Sequence, residues 1–461
     1  MRPVAPTLTS GSIPRTLFKF SLPILLGNVL QTVNGSVNAI WVGNFLGTQA
    51  LTATNNANLV MWLLLGAVFG ITMASTILIA QHVGAREMAA AKRVVGSSAT
   101  FFMATSVLFA VFGLVFSPHI LDWMGTPRDA VPYGVAYLRV MFSALPASYG
   151  MFFVMAALRG AGDSKTPFYF LVMSVVLDIV LNPLLIFGLG PLPALGIAGS
   201  AAATLIAQGA SLLAMLRHIY RRKNPLVLHR GEWHLLKVDW SIIRTVTLKG
   251  VPMGLQMIVM SSSSVLFLRV VNRYGSDTAA AFAAAMQLWN YVQMPAMALG
   301  AAVSSMAAQN IGAGLWERVR EVARTSVLFN FLLTGVPVLL IYVFSRPALG
   351  IFLPAGSAAI GIADHLNHIV LWSFPLFGIT MVLSGVVRAA GAVVAPLLIL
   401  AVAMLGVRAP VAWLTIDRYG VDAVWWSFTF SSTIAAGLTL AYYRYGNWRA
   451  ARMASAPAPA G

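Results

Sequence analysis

The sequence predicts an all-α integral membrane protein with twelve transmembrane helices in two six-helix lobes, which are related by a parallel pseudo-two-fold repeat. Three observations predict this fold class: the composition, a series of long apolar runs, and an internal repeat. Of 461 residues, 59% are hydrophobic and only 9% are charged. A soluble chain carries about 25% charged residues, so most of this surface does not face water.

The apolar runs are long enough to cross a bilayer, because a spanning helix needs about 20 mostly apolar residues. The predicted spans of the first half are 17–44, 50–81, 95–117, 131–157, 167–189 and 194–219. Those of the second half are 247–272, 278–310, 325–345, 366–387, 394–416 and 423–444. An even number of spans places both ends of the chain on the same side of the membrane.

The basic residues identify that side. The amino terminus and the loops after even-numbered spans carry 23 of the 30 Lys and Arg residues, and the opposite loops carry four. Short cytoplasmic loops are rich in Lys and Arg, so both termini are predicted to be cytoplasmic, in a multi-pass protein of the cell (inner, cytoplasmic) membrane. The net charge of +17 therefore reflects topology, and we expect no nucleic-acid partner.

The two halves repeat at an offset that varies by no more than one position along the chain. The matching pairs are Pro23/Pro252, Gly47/Gly275, Gln81/Gln309, Gly84/Gly312, Pro146/Pro375, Arg159/Arg388, Gly162/Gly391 and Pro167/Pro396. The predicted domains are a lobe over 1–220, a polar cytoplasmic linker over 221–246, a second lobe over 247–445 and a cytoplasmic tail over 446–461. Parallel repeats are typical of secondary transporters, with the site between the lobes or within one of them.

One ten-residue stretch carries a family resemblance. Residues 158–167 read LRGAGDSKTP and contain Arg159, Gly160, Gly162, Asp163, Thr166 and Pro167. Further matching stretches are VNAIWVGNFLG over 37–47, QHVGA over 81–85, QNIGAG over 309–314 and LGIAGSAAAT over 195–204. Together these segments resemble the MATE (multidrug and toxic compound extrusion) exporters over nearly the whole chain.

The resemblance implies a V-shaped pair of six-helix lobes that export amphipathic, often cationic compounds, driven by protons or sodium ions. Within the motif loop itself we favour a structural role. Gly160 and Gly162 permit a tight turn, Pro167 suits the first turn of a helix, and the charge of Asp163 is favourable near a helix start.

Asp178 is the one carboxylate predicted to lie within a span. It lies about eleven residues into span five, roughly 16 Å from the cytoplasmic end at 1.5 Å per residue. Asn182 follows one turn later on the same face. The MATE pattern here is Asn-x-x-x-Asp-Pro, and this chain reads Asp178-Ile-Val-Leu-Asn182-Pro183, so the acid and the amide are exchanged. An ionisable group at this depth is costly and usually functional, so Asp178 and Asn182 are predicted to couple proton movement to transport.

Amide side chains in span one are predicted to complete a polar cavity with Asp178. They are Gln31, Asn34 and Asn38, and Thr204 of span six joins them. The family acid of span one falls on Asn38, so this chain lacks a second carboxylate there. An alternative role for these amides is hydrogen bonding between helices.

Three arginines lie inside predicted spans. Arg139 lies at nearly the depth of Asp178 on a neighbouring span, so an ion pair between the two is the alternative to proton coupling. Arg269 and Arg408 we interpret as snorkelling to the membrane interface.

The leading functional hypothesis is an antiporter for amphipathic, cationic organic compounds, coupled to H+ in preference to Na+. The first alternative is a flippase for lipid-linked or polysaccharide precursors. An intramembrane enzyme is the alternative from another class, and it is disfavoured because no nucleophile with a nearby base is evident. The chain has no cysteine. We expect no catalytic residue, cofactor or metal, and the partners expected are a small organic substrate, a coupling ion and the lipid bilayer. The sequence leaves the oligomeric state open.

Overall fold

The fold is helical throughout the described part of the chain. A computed structural model describes residues 8–188, 194–354 and 356–453, and in these residues every regular element is a helix. The predicted fold class is therefore confirmed. Residues 1–7 of the predicted first lobe, the end of predicted span five at 189 and residues 454–461 of the predicted tail lie outside the described residues.

The helices follow the predicted order of spans. The first half contains α1 (Ile13–Gly47), α2 (Thr52–Gly84), α3 (Met88–Trp123), α4 (Val131–Gly160), α5 (Lys165–Phe187) and α6 (Ile197–Arg221). The second half contains α7 (Trp240–Val271), α8 (Ser276–Gly312), α9 (Trp316–Val343), α10 (Ala358–Val370), α11 (Ser373–Ala389), α12 (Val394–Tyr419) and α13 (Asp422–Tyr445).

Most of these helices can cross a membrane. Among the described residues, nine are long and apolar enough to do so, and α10 with α11, bent by 47° at a short break, add a tenth. The two remaining helices, α8 and α13, lie at predicted spans eight and twelve and have 37 and 24 residues. The helices thus account for all twelve predicted positions.

The repeat is visible in the backbone. Gly47, at the end of α1, and Gly275, which follows α7, have similar dihedral angles: φ 85°, ψ 177° and φ 99°, ψ 170°. Gly162 and Gly391, in the two motif loops, have φ of 94° and 100°. L-residues with a side chain rarely adopt these positive φ values, so glycine is required at corresponding turns of both halves.

By packing, the described chain forms two compact units. One contains Leu26–Leu248, and the other contains Leu8–Leu25 together with the chain from Lys249 onward. In the second unit, Gln309 Oε1 accepts a 2.9 Å hydrogen bond from the Leu8 backbone N–H, and the Asn310 amide donates to the Leu8 carbonyl at 3.2 Å. The start of α1, as far as Leu25, therefore packs with the second half of the chain. The predicted division at 221–246 stays a prediction.

The linker lies along α3 in the first unit. Lys92 Nζ is 2.7 Å from Glu232 Oε1, and Arg93 Nη2 is 2.6 Å from Asp239 Oδ2. The hydrogen bond from Lys92, and a second from the His229 backbone N–H, hold the pKa of Glu232 below its ordinary value. The linker is thus tied to the start of α3 by two ion pairs.

Candidate functional site

A buried carboxylate lies in the middle of α5. Asp178 is 2% exposed, and it is the only buried residue among the thirteen Asp and Glu of the chain, all of which the structure describes. A carboxylate removed from water is costly unless hydrogen-bond donors surround it. The neighbours of Asp178 therefore decide what this group can do.

Three side chains from two other helices donate to this carboxylate. Asn34 and Asn38, one turn apart on α1, donate through Nδ2 to Asp178 Oδ2 at 2.8 and 3.0 Å. From α6, Thr204 Oγ1 donates to Asp178 Oδ1 at 3.0 Å. Asp178 thus joins α1, α5 and α6, and both of its oxygens are engaged.

Asn182 extends the cluster by one helical turn. It is fully buried, and its Nδ2 donates to Asn38 Oδ1 at 2.8 Å and to the Asp178 carbonyl at 3.3 Å. Two acceptors in the cluster, Asn34 Oδ1 and Asn182 Oδ1, are buried and have no hydrogen-bond partner among the described residues. The cluster therefore holds acceptor capacity that a proton or a cation can use.

Two further residues considered in the sequence are not part of this cluster. Gln31 is exposed on α1, and none of the hydrogen bonds of the cluster involves it. Arg139 is exposed on α4, and the ion pairs of the described residues do not include an Arg139–Asp178 pair. Both oxygens of Asp178 instead accept hydrogen bonds from two amides and a hydroxyl. The contacts of Asp178 among the described residues therefore give the ion-pair alternative no support.

Sequence reasoning did not single out Tyr137. This α4 residue is 6% exposed, and its hydroxyl donates to Asn58 Oδ1 at 3.3 Å. A tyrosine in an apolar run resembles a core residue, so only its hydroxyl, which needs a partner when buried, could have suggested a role.

The motif loop forms a tight turn between α4 and α5. Asp163 Oδ1 accepts hydrogen bonds from the Lys165 and Thr166 backbone N–H groups, both at 3.0 Å, so it caps the start of α5. Arg159 lies in the last turn of α4, and Gly160 lies against α2, where an added Cβ would be 2.8 Å from the Thr76 carbonyl oxygen. Pro167 is buried in the first turn of α5. The loop thereby fixes where α5 begins and hence the depth of Asp178.

A comparison with protein families identifies the chain. The family model described as MatE matches it twice, over residues 23–184 and 252–414. The chain belongs to the MATE family. The two MATE segments cover most of both halves and begin at the repeat pair Pro23 and Pro252, which agrees with the repeat in the sequence.

Known proteins agree with this assignment along the whole chain. The "Probable multidrug resistance protein YoeA" of Bacillus subtilis is 38% identical over 436 residues, covering 94% of each chain. YpnP of the same organism, with the same description, is 32% identical and covers 96% of this chain and 98% of its own. A solved mutant of the Vibrio cholerae MATE transporter VcmN has a TM-score of 0.87 at 22% identity, with 96% and 99% coverage. Members of the MATE family are transporters, so this chain is a transporter and not an enzyme.

The structure of the second MATE segment shows that one interpretation of the sequence is wrong. The sequence alone suggests that Arg408 snorkels to the interface, but this residue is 7% exposed within α12. A seven-residue π-helical stretch, Val402–Arg408, turns the side chain into the helix bundle. Sequence periodicity assumes 3.6 residues per turn and cannot show such a stretch.

Proposed function

We propose that this MATE protein is a secondary-active multidrug exporter that exchanges protons for amphipathic, cationic organic compounds across the cell membrane. The observation that carries the proposal is the single buried carboxylate, Asp178, which three side chains from α1 and α6 hold in place. The printed descriptions of the two Bacillus subtilis relatives as probable multidrug resistance proteins support the cargo class.

Protonation of Asp178 changes its hydrogen bonds to α1. As a carboxylate, Oδ2 accepts from both Asn34 and Asn38. Once protonated, the acid becomes a donor and needs an acceptor. Rotation of the Asn34 amide would supply its unpartnered Oδ1. The amide cluster can therefore satisfy both protonation states, with different contacts between α1 and α5.

A proline inside α5 provides a position at which this helix can bend. Pro183 follows Asn182 directly inside α5 and removes one helical hydrogen bond at that turn. Helices bend most readily at such positions. We therefore expect the two protonation states of Asp178 to differ in the bend of α5 and in the position of α1.

Exchange follows from competition for one charge. Either a proton or a cationic cargo can neutralise the Asp178 carboxylate. Its single negative charge cannot be neutralised by both at the same time. Binding of the cargo then releases the proton, and the inward proton gradient restores the acid after cargo release. This scheme needs only one carboxylate, which fits a chain with Asn38 at the position of the family acid in the first span.

Sodium is the competing coupling ion, because the cluster also offers oxygen ligands. Asp178, with the two unpartnered amide oxygens of Asn34 and Asn182, presents the type of ligand that hard cations prefer. The experiment therefore has one arm for each gradient.

Transport by purified protein in proteoliposomes tests the proposal. We expect an imposed pH gradient to drive movement of radiolabelled tetraphenylphosphonium, and a sodium gradient alone to drive none. Asp178→Asn keeps the shape of the side chain and should reduce gradient-driven transport to the level of protein-free vesicles. Full pH-driven transport by Asp178→Asn contradicts proton coupling at this residue. Transport driven by sodium alone identifies sodium as the coupling ion.

Orientation has its own test in this cysteine-free chain. We place both termini and the 221–246 linker in the cytoplasm, so a cysteine at Lys223 should resist an impermeant thiol reagent in intact cells. A cysteine at Arg128, in the exposed loop between α3 and α4, is the matched control and should react. The reverse labelling pattern would invert the topology.

A further inference from the structure

The second half contains a buried arginine at the middle of a span. Arg408 of α12 is 7% exposed, and its Nε donates to Ser431 Oγ of α13 at 2.8 Å. Its guanidinium carbon lies 4.2 Å from the centre of the Phe428 ring and 6.0 Å from that of Phe267. Such distances give a favourable cation–π interaction, stronger where water is excluded.

Arg408 occupies the position that Asp178 occupies in the first half. Asp178 comes eleven residues after Pro167, and Arg408 comes twelve residues after Pro396, the repeat partner of Pro167. The π-helical stretch Val402–Arg408 accommodates one additional residue before Arg408. The two MATE segments, 23–184 and 252–414, show the same change, since the second is one position longer than the first. The two buried ionisable groups therefore correspond within the repeat.

The side chains around the two groups also correspond. Phe267 is the counterpart of Asn38 at the offset that relates Pro23 to Pro252. Gly196 and Gly420 share an unusual backbone conformation, with φ 55°, ψ −131° and φ 57°, ψ −139°.

Eight residues beyond these two glycines lie Thr204 and Phe428. Thus two of the side chains that donate to the acid in the first half, Asn38 and Thr204, are replaced by two rings beside the cation in the second.

The second site holds donors without acceptors. A guanidinium has five N–H donors, and only the Nε–H of Arg408 has a hydrogen-bond partner among the described residues. The ion pairs of the described residues do not include Arg408. A buried cation without a counter-charge is costly, so an anion in this place would lower the free energy.

We propose that Arg408, Phe267 and Phe428 form a binding site for aromatic organic anions, with the guanidinium holding a carboxylate and the rings holding the aromatic body. The planar fork of Arg suits a carboxylate because two parallel hydrogen bonds form. Offset or edge-on contacts with Phe267 and Phe428 suit a flat ring system. The site goes beyond the proposed cation–proton exchange, since it lies in the second half and does not use Asp178.

A matched pair of probes tests the site. The anion 2-naphthoate and the neutral 2-naphthamide share size and shape and differ in charge. We expect purified wild-type protein in detergent to bind 2-naphthoate at least about tenfold more tightly than 2-naphthamide in titration calorimetry, as for a charge-assisted hydrogen bond. In Arg408→Gln this preference should vanish, and in Arg269→Gln, which removes an exposed arginine of α7, it should remain.

Two further variants separate this site from folding and from the proposed function. Arg408→Lys keeps a buried cation but lacks the fork, so its affinity for 2-naphthoate should fall about tenfold while a reduced preference for the anion remains. Asp178→Asn should bind 2-naphthoate like the wild type, whatever its transport activity. The proposal would be overturned if the wild type bound the two probes with equal affinity. It would also be overturned by an undiminished preference for the anion in Arg408→Gln, or by an undiminished affinity for 2-naphthoate in Arg408→Lys.

Discussion

The same position of the repeat holds an acid in the first half and an arginine in the second. Asp178 receives hydrogen bonds from Asn34, Asn38 and Thr204, whereas Arg408 lies against Phe267 and Phe428 with one hydrogen bond to Ser431. The backbone turns that set these positions are shared between the halves. The fold therefore supplies two equivalent buried places, and the side chains give them opposite charge.

The two halves also surround their buried charge with different kinds of groups. Hydrogen bonds to a carboxylate are directional and depend on its protonation state. A ring face attracts a guanidinium over a broad range of geometries, and Arg stays charged at every physiological pH. Only the first site can respond to a proton, which is why the coupling role is assigned to Asp178.

The largest expected effect is on the amide partners of Asp178. Asn38→Ala removes a donor to the carboxylate and the acceptor of Asn182, so we expect pH-driven tetraphenylphosphonium transport to fall between about tenfold and a hundredfold. Asn34→Ala removes one donor to the acid, and its effect should be at the lower end of that range.

Gln31→Ala is the matched control for these amides. It removes an amide from the exposed face of the same helix and should transport at the wild-type rate. Wild-type transport by both Asn variants, at normal expression, would instead assign the amides to packing between helices.

A medium effect is expected where α6 packs on α5. A Cβ on Gly199 would lie 2.4 Å from the Leu185 carbonyl oxygen, a backbone atom that cannot move aside. We expect Gly199→Ala to lower the free energy of unfolding by about 1–3 kcal/mol and to shift Thr204 away from Asp178. Gly199 lies three residues after Gly196, and its counterpart in the second half is Ala423, three residues after Gly420. The corresponding position of the second half therefore already carries a Cβ.

Thermal unfolding in detergent compares substitutions at these two positions. Ala423→Gly should cost only about 1 kcal/mol, the difference in helix propensity. A midpoint for Gly199→Ala at or above that of the wild type would contradict the close packing of α5 and α6.

The smallest effect concerns the linker on the first half. Because the pKa of Glu232 is held below its ordinary value of 4.5, the contact with Lys92 is complete above that pH and is lost as the pH falls through the lowered pKa. Hydrogen-exchange protection of residues 229–237 should be constant from pH 7 to about 5 and decrease in more acidic solution.

Glu232→Gln is the variant that checks the cause, since its linker should show no such pH step. Glu317→Gln changes an exposed ion pair of the second half and should leave the step intact. A pH step that persists in Glu232→Gln would assign it to another group.

Much of the fold and of the first site is predictable from the sequence. Long apolar runs give the helices, because each must satisfy its own backbone in lipid. A lone carboxylate among them marks Asp178, and amides at helical spacing mark Asn34 and Asn38. Gln31 is also an amide at helical spacing from these two residues, but it lies on the exposed side of α1. The spacing of residues in the sequence does not show which side of the helix is exposed.

The second site could not be predicted in the same way. The place of Arg408 depends on the π-helical stretch before it, a local change in backbone pitch that leaves no periodic signal. Its partners are phenylalanines, which resemble ordinary core residues in sequence. The packing of Leu8–Leu25 with the second half is also hidden, because it depends on contacts with residues as distant in sequence as Gln309.

Proton release on cargo binding tests the central claim most directly. Tetraphenylphosphonium has a permanent charge, so any proton released when it binds comes from the protein. In weakly buffered detergent solution between pH 5 and 8, we expect the wild type to release up to one proton per bound cation, and Asp178→Asn to release none. Equal proton release by Asp178→Asn and the wild type, or binding by the wild type without release at any pH in this range, would contradict a shared site for cargo and proton.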